Sequence, residues 1–131
     1  FLKIYVKGNI TFHGYITNFL TVYLVFYSPV FNTMYISLSH LKWITPYNHQ
    51  VVPYNLSNEK LKVSPSSNPL HRSFENQLKK DIGKLVIFDG GTDPKKIGLL
   101  KKVENNQIEL SIASGENVYL KLAHIKSVHL P

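Results

Sequence analysis

Residues 35–44 read YISLSHLKWI and residues 119–128 read YLKLAHIKSV, so one short phrase occurs twice in a single chain. Tyr35, Leu38, His40 and Lys42 answer Tyr119, Leu122, His124 and Lys126 at a constant offset of 84 residues. The same offset runs backwards without a gap. It pairs Gly14 with Gly98, Ile16 with Leu100, Phe19 with Val103, Leu24 with Ile108, Phe26 with Leu110 and Met34 with Val118. Apolar positions answer apolar ones, while Thr17, Tyr23 and Val25 stand opposite Lys101, Gln107 and Glu109. An apolar pattern that persists while the intervening identities drift points to a duplicated unit. The expectation is two copies, residues 1–49 and 73–131, joined by a linker at 50–72.

Each copy approaches the smallest size at which a chain buries enough surface to fold alone, so the two are expected to pack together. Hydrophobic residues make up 44% of the 131, ample for two small cores and too many for a disordered chain. The chain has no cysteine, which excludes disulfides, thiolate metal sites and cysteine nucleophiles within it. The most apolar stretch, FLTVYLVFYSPVF at 19–31, is broken by Thr21, Ser28 and Pro29. It falls short of the roughly 18 apolar residues of a spanning helix, so no membrane span is expected. The sequence opens on Phe1 without a basic leader or cleavage site, the pattern expected of part of a longer protein.

Charge is distributed unevenly. Of a net +7, residues 1–50 contribute Lys3, Lys7 and Lys42 and no acid, whereas all eight acids lie from Glu59 onward. The excess would attract nucleic acid, an anionic polymer or an acidic protein, but it serves equally as a solubilising surface. Electrostatic attraction alone carries no specificity.

Strand signals dominate. LKIYVKG at 2–8 alternates and ends on a turn residue, ITFHGYITNFL at 10–20 is β-branched and aromatic, and TVYLVFY at 21–27 stops at Ser28 and Pro29. NTMYISL and LKWI complete five short strands. Gly14 and Gly98 fall inside strands, where a missing side chain permits a sharp bend or a close backbone approach. Copy two is preceded by SFENQLKKDIGK at 73–84, in which Ser73 can cap a helix, Phe74, Leu78 and Ile82 share a face, and Gly83 can end it. The intervening HQVVPYNLSNEKLKVSPSSNPLHR has linker composition with brief strand-like phrases at QVVPY and KLKV. A short helix followed by five strongly bent strands resembles the Sm-like barrel. The expected fold is therefore all-β, two tandem Sm-like five-stranded small barrels, the second led by a short helix.

The chemically suggestive residues are better explained by structure than by reaction. His40 and His124 each follow a strand ending in Leu, where an imidazole can bond backbone groups across the turn. The six His show no ligand spacing and no Cys partners, so no metal or other cofactor is expected. DGGTDPKK at 89–96 has glycines and lysines but no Gly-Lys-Ser/Thr ending and no following helix, which makes it a hairpin turn rather than a phosphate loop. Neither the carboxylates nor Ser111 and Ser114 form a catalytic spacing, and no enzymatic activity is expected.

Residues 88–130 resemble the repeated module of the spore coat protein B family of Bacillus-type endospore formers. Gly90, Gly91, Lys95, Lys96, Gly98, Leu99, Tyr119, His124, Lys126, Ser127 and Val128 carry the likeness in copy two. Gly14, Tyr35, His40 and Lys42 carry it in copy one, where KGNITFH replaces the glycine-lysine turn and Trp43 replaces Ser. The chain departs from that pattern by a displaced Pro94, an inserted turn residue and the lack of a Ser- and Lys-rich tail.

The resemblance implies a non-enzymatic structural protein of the endospore surface layers, coat or exosporium, made in the mother cell. Its partners would be other coat or exosporium proteins, surface-appendage proteins or further copies of itself. Phe12, Tyr15, Tyr23, Tyr27 and Trp43 of the acid-free copy are the candidate partner contacts. The alternative is an Sm-like nucleic-acid-binding protein, in which the same aromatics would stack bases. Tyr23 and Gln107, and the phrases LSHL and LAHI, stand where the Sm-like pattern carries its RNA-reading Asn and Arg-Gly, which disfavours nucleic acid.

Overall fold

A computed structural model describes residues 1–48, 53–55 and 69–131 of the chain. Ten strands follow in order: β1 (Leu2–Val6), β2 (Ile10–Phe19), β3 (Tyr23–Ser28), β4 (Asn32–Ser37), β5 (Leu41–Pro46), β6 (Leu85–Phe88), β7 (Ile97–Glu104), β8 (Gln107–Ile112), β9 (Asn117–Lys121) and β10 (Ser127–His129). Among the described residues an α-helix, α1 (Phe74–Lys79), leads into β6. Single 3-10 turns at Leu38–His40 and Leu122–His124 occupy matching places before β5 and β10. The linker phrases QVVPY and KLKV fall largely outside the described residues, of which Pro53–Asn55 form a 3-10 turn. No helix among the described residues is long and apolar enough to cross a membrane.

The strands follow from residue alternation. In β1, Ile4 and Val6 are buried and their neighbours are not, and in β4 Met34 and Ile36 point inward. Two-residue reversals need positive φ, which Asn105 and Asn106 supply between β7 and β8. The first copy builds its core on Ile4, Val6, Phe12, Leu24, Phe26, Met34 and Ile36. The second builds its own on Leu78, Val86, Phe88, Leu100, Val103, Ile108, Leu110, Ile125 and Val128.

The offset of 84 seen in the sequence reappears as strand register. Leu2 opposes Gly14 as Val86 opposes Gly98, and Ile4 opposes Ile44 as Phe88 opposes Val128. Val25 opposes Tyr35 as Glu109 opposes Tyr119. The β2–β3 ladder slips between Ile16 and Asn18, and the β7–β8 ladder slips between Leu100 and Lys102, the same place in each copy. Gly14 marks the point where β2 leaves β1 for β3, since Ile10–Gly14 pair with β1 and Tyr15–Phe19 with β3. A Cβ on Gly14 would lie 1.9 Å from the Tyr27 carbonyl oxygen, and one on Gly98 would lie 2.3 Å from that of Ser111, its counterpart. Close backbone crossing is thus the reason for both glycines.

Each copy has the expected five antiparallel strands, but the pairings run on into one open ten-stranded sheet, in the order β5-β1-β2-β3-β4-β10-β6-β7-β8-β9. No β4–β5 or β9–β10 ladder closes either copy on itself among the described residues. The fold is all-β, and the last strand of copy two joins the fourth strand of copy one. The helix is shorter than its apolar spacing predicts. After Lys79 the Asp81 and Ile82 amides bond three residues back, the Gly83 amide donates to the Leu100 carbonyl, and Ile82 turns out to solvent. Ser73 caps the helix as expected, its hydroxyl accepting from the Asn76 amide at 3.0 Å.

Candidate functional site: the joint and the free strand edges

The joint between copies is three residues long. Ser127, Val128 and His129 of β10 oppose Ile36, Tyr35 and Met34 of β4, and the Ser37 amide donates to the Lys126 carbonyl at 2.9 Å. His40 Nε2 lies 2.7 Å from the Ala123 carbonyl oxygen, on the other side of the joint. Tyr23 is fully buried here. Its hydroxyl donates to the His71 carbonyl, and its ring meets Tyr35 at 6.0 Å and Phe74 of α1 at 5.6 Å. Burial raises the pKa of both Tyr23 and Tyr35 above the ordinary phenol value.

Sequence position alone places His40 and His124 alike, but the structure separates them. His40 bridges the two copies by reaching the Ala123 carbonyl, while His124, the next residue along from that carbonyl, is exposed. Phe12 and Tyr23 are core residues rather than partner contacts, being 2% and 0% exposed. Tyr15 and Tyr27 are half-buried, Tyr15 against Phe1 at 5.1 Å, and Trp43 is 52% exposed. Of the structural repeat residues, Tyr35 and Tyr119 lie within β4 and β9, and Leu38, Leu122, Lys42 and Lys126 lie in or beside the 3-10 turns that lead into β5 and β10.

Copy two locks its final strand with a charge, and copy one does not. Asp89 is buried with φ of 53°, and its Oδ1 accepts from the Lys126 amide at 2.8 Å and the Ser127 amide at 3.3 Å. Its Oδ2 meets Lys96 Nζ at 2.6 Å and Lys126 Nζ at 3.7 Å. At the matching places copy one carries Tyr5 and Trp43, whose rings lie 4.9 Å apart with Lys42 Nζ over the indole at 4.9 Å. The lysines of DGGTDPKK therefore divide: Lys96 anchors Asp89, while Lys95 is solvated. The sequence carried the signal for this pairing, since Tyr5 and Trp43 replace Asp89 and Ser127 together.

Two edges remain unpartnered among the described residues, β5 at one end of the sheet and β9 at the other. Ile44 is 36% exposed where its counterpart Val128 is 1% exposed, and Tyr119 is 63% exposed where Tyr35 is half-buried. The Tyr119 hydroxyl donates to Glu109 at 3.0 Å, and that acceptor holds the phenol pKa up. Beside it Lys102, Gln107, Glu109 and Tyr119 line an open hollow of about 200 Å³. Gln107 and Tyr119 are the counterparts of Tyr23 and Tyr35, the pair that packs against α1 at the joint. No group of three or more His, Cys, Asp or Glu residues that could hold a metal occurs among the described residues.

Residues 73–128 match a family model described as the YwrJ third domain, a stretch that runs from the helix cap of copy two into β10. The whole chain is 56% identical over its 131 residues to the uncharacterized protein YwrJ of Bacillus subtilis (strain 168). It spans 58% of that protein's length. No solved structure matches the chain.

Proposed function

We propose that the chain is a non-enzymatic assembly protein of the bacterial endospore coat or exosporium, built from two Sm-like modules and acting through protein–protein contacts. The observation that carries this reading is the pair of strand edges bearing Trp43, Ile44 and Tyr119, which have no ladder partner among the described residues and lie beside exposed apolar side chains. The likeness of residues 88–130 to the spore coat protein B module supports the spore as the setting. Partners are other coat or exosporium proteins, and binding is by strand addition rather than by a pocket.

The test follows a tagged chain through a sporulating Bacillus culture. The reading requires that it appear in the mother cell and fractionate with the spore surface. Appearance in vegetative cytosol with no spore association would sink it. Charge reversal at the exposed Lys95, Lys101, Lys102 and Lys121 separates the nucleic-acid alternative. A scaffold tolerates those changes, whereas a nucleic-acid binder loses retention, and its wild-type affinity falls by orders of magnitude between low and physiological salt.

A further inference from the structure

The sheet is one module repeated twice in one register, so its two ends are known surfaces. β5 is the counterpart of β10, and β9 is the counterpart of β4. Inside the molecule those two strand types pair with each other at the β4–β10 joint. We propose that the β5 edge of one molecule receives the β9 edge of a second copy, antiparallel and in the register of β10 on β4. This rests on the assembly reading and gives it a partner and an alignment.

The offset of 84 specifies the contact residue by residue. Val128 opposite Tyr35 becomes Ile44 opposite Tyr119 of the second copy, Ser127 opposite Ile36 becomes Trp43 opposite Leu120, and His129 opposite Met34 becomes Thr45 opposite Val118. The Lys121 amide takes the part of Ser37 and donates to the Lys42 carbonyl. His124 takes the part of His40 and reaches the Ser39 carbonyl.

The burial differences fit this match. Ile44, Trp43 and Tyr119 are 36%, 52% and 63% exposed, while Val128, Ser127 and Tyr35 at the filled joint are buried or half-buried. Pro46, which cannot donate to a ladder, follows the three pairing residues at the place of Leu130, just past the end of β10, so it does not block the contact. Because the two edges differ, the contact is head-to-tail and can be extended by further copies rather than stopping at a symmetric pair.

The absence of cysteine allows the register to be read directly. The wild-type chain is followed by sedimentation velocity at rising concentration, and the variants I44C and Y119C are oxidised separately and mixed. Self-association with concentration is expected, and the mixture should cross-link at least tenfold faster than either variant alone. The single variant Y119K, whose ammonium keeps a partner in the opposing Glu109, should weaken association at least tenfold with little change in melting temperature.

Monomeric behaviour up to the solubility limit would overturn the proposal, as would equal linking rates in the three oxidations. Protection of the I44C thiol from labelling in a longer chain that remains monomeric would place another segment of that chain on the edge, and would also overturn it. A monomeric protein that still fractionates with the spore surface refutes the register and leaves the assembly reading standing. A self-associating protein absent from spores does the reverse.

Discussion

Replacing Gly14 by Ala tests the strand crossing at its tightest point. The added Cβ would sit 1.9 Å from the Tyr27 carbonyl oxygen and 2.9 Å from a Phe26 ring carbon. Carbon and oxygen do not normally approach closer than about 3.3 Å, so β2 and β3 must separate locally by about 1.4 Å. An N–H···O bond stretched by that amount is lost. The pairs Tyr15–Tyr27 and Ile16–Phe26 are the ones at risk. Losing one or two such bonds costs about 1 kcal/mol each, and the steric misfit in a packed core adds about 1 to 3 kcal/mol.

The reduced freedom of the unfolded chain returns about 0.4 to 1 kcal/mol, which leaves a net destabilisation of about 3 kcal/mol. For a domain of this size that is a fall in melting temperature of roughly 10 °C. Circular dichroism during heating reads it. Gly98→Ala, with 2.3 Å to the Ser111 oxygen, should fall somewhat less. Gly115→Ala meets no atom within 4 Å and suffers only its φ of 88°, a cost of about 1 to 2 kcal/mol. If Gly14→Ala melts with the wild type, or if Gly115→Ala is the worst of the three, the close-crossing argument is wrong.

Three further outcomes are expected. Burial holds the His129 pKa below its ordinary 6.5, so above that value neither the folded nor the unfolded state carries the proton. As pH falls below 6.5 the unfolded chain takes it up first, and stability should decline until the folded-state pKa is passed. His129→Leu should flatten that part of a plot of melting temperature against pH, and an unchanged slope would absolve His129. Asp89→Ala strips the acceptor from the Lys126 and Ser127 amides and should cost about 2 to 4 kcal/mol in urea unfolding, whereas Lys95→Ala stays within about 0.5 kcal/mol. Tyr23→Phe removes the bond to the His71 carbonyl and should cost about 1 kcal/mol, with faster amide exchange in α1; unaltered exchange there would mean that the hydroxyl does not hold the helix.

The repeat phrase made much of the fold legible because a buried pattern with period two survives duplication. Strand number, the matching turns before β5 and β10 and the roles of Gly14 and Gly98 all follow from it. How the two copies join did not, since joining depends on which strand edges meet, and edge hydrogen bonds are made by backbone groups that no side chain announces. For the same reason Tyr23 read as a surface aromatic: its burial comes from α1 and His71, far along the chain. His40 and His124 stand in matching phrases, LSHLK and LAHIK, but have different neighbours in space. The helix ended early because the Gly83 amide is drawn to Leu100, a tertiary bond stronger than the spacing of Ile82 could reveal.

The strand in the middle of the sheet is the last of the ten described strands in sequence. β10 holds only Ser127, Val128 and His129, yet it lies between β4 and β6 and its pairing with β4 is the ladder that joins the two copies among the described residues. A chain emerging from the ribosome can gather the first core early, but β4 receives β10 as its ladder partner only after residues 127–129 have been made. Until then the β4 edge can be occupied by another nascent chain's β10, which would give a swapped pair with native contacts. The rate at which β10 arrives thus competes with the local density of ribosomes translating the same message. Loss of these three residues would leave two half-sheets, each with its own core, with no strand to tie them.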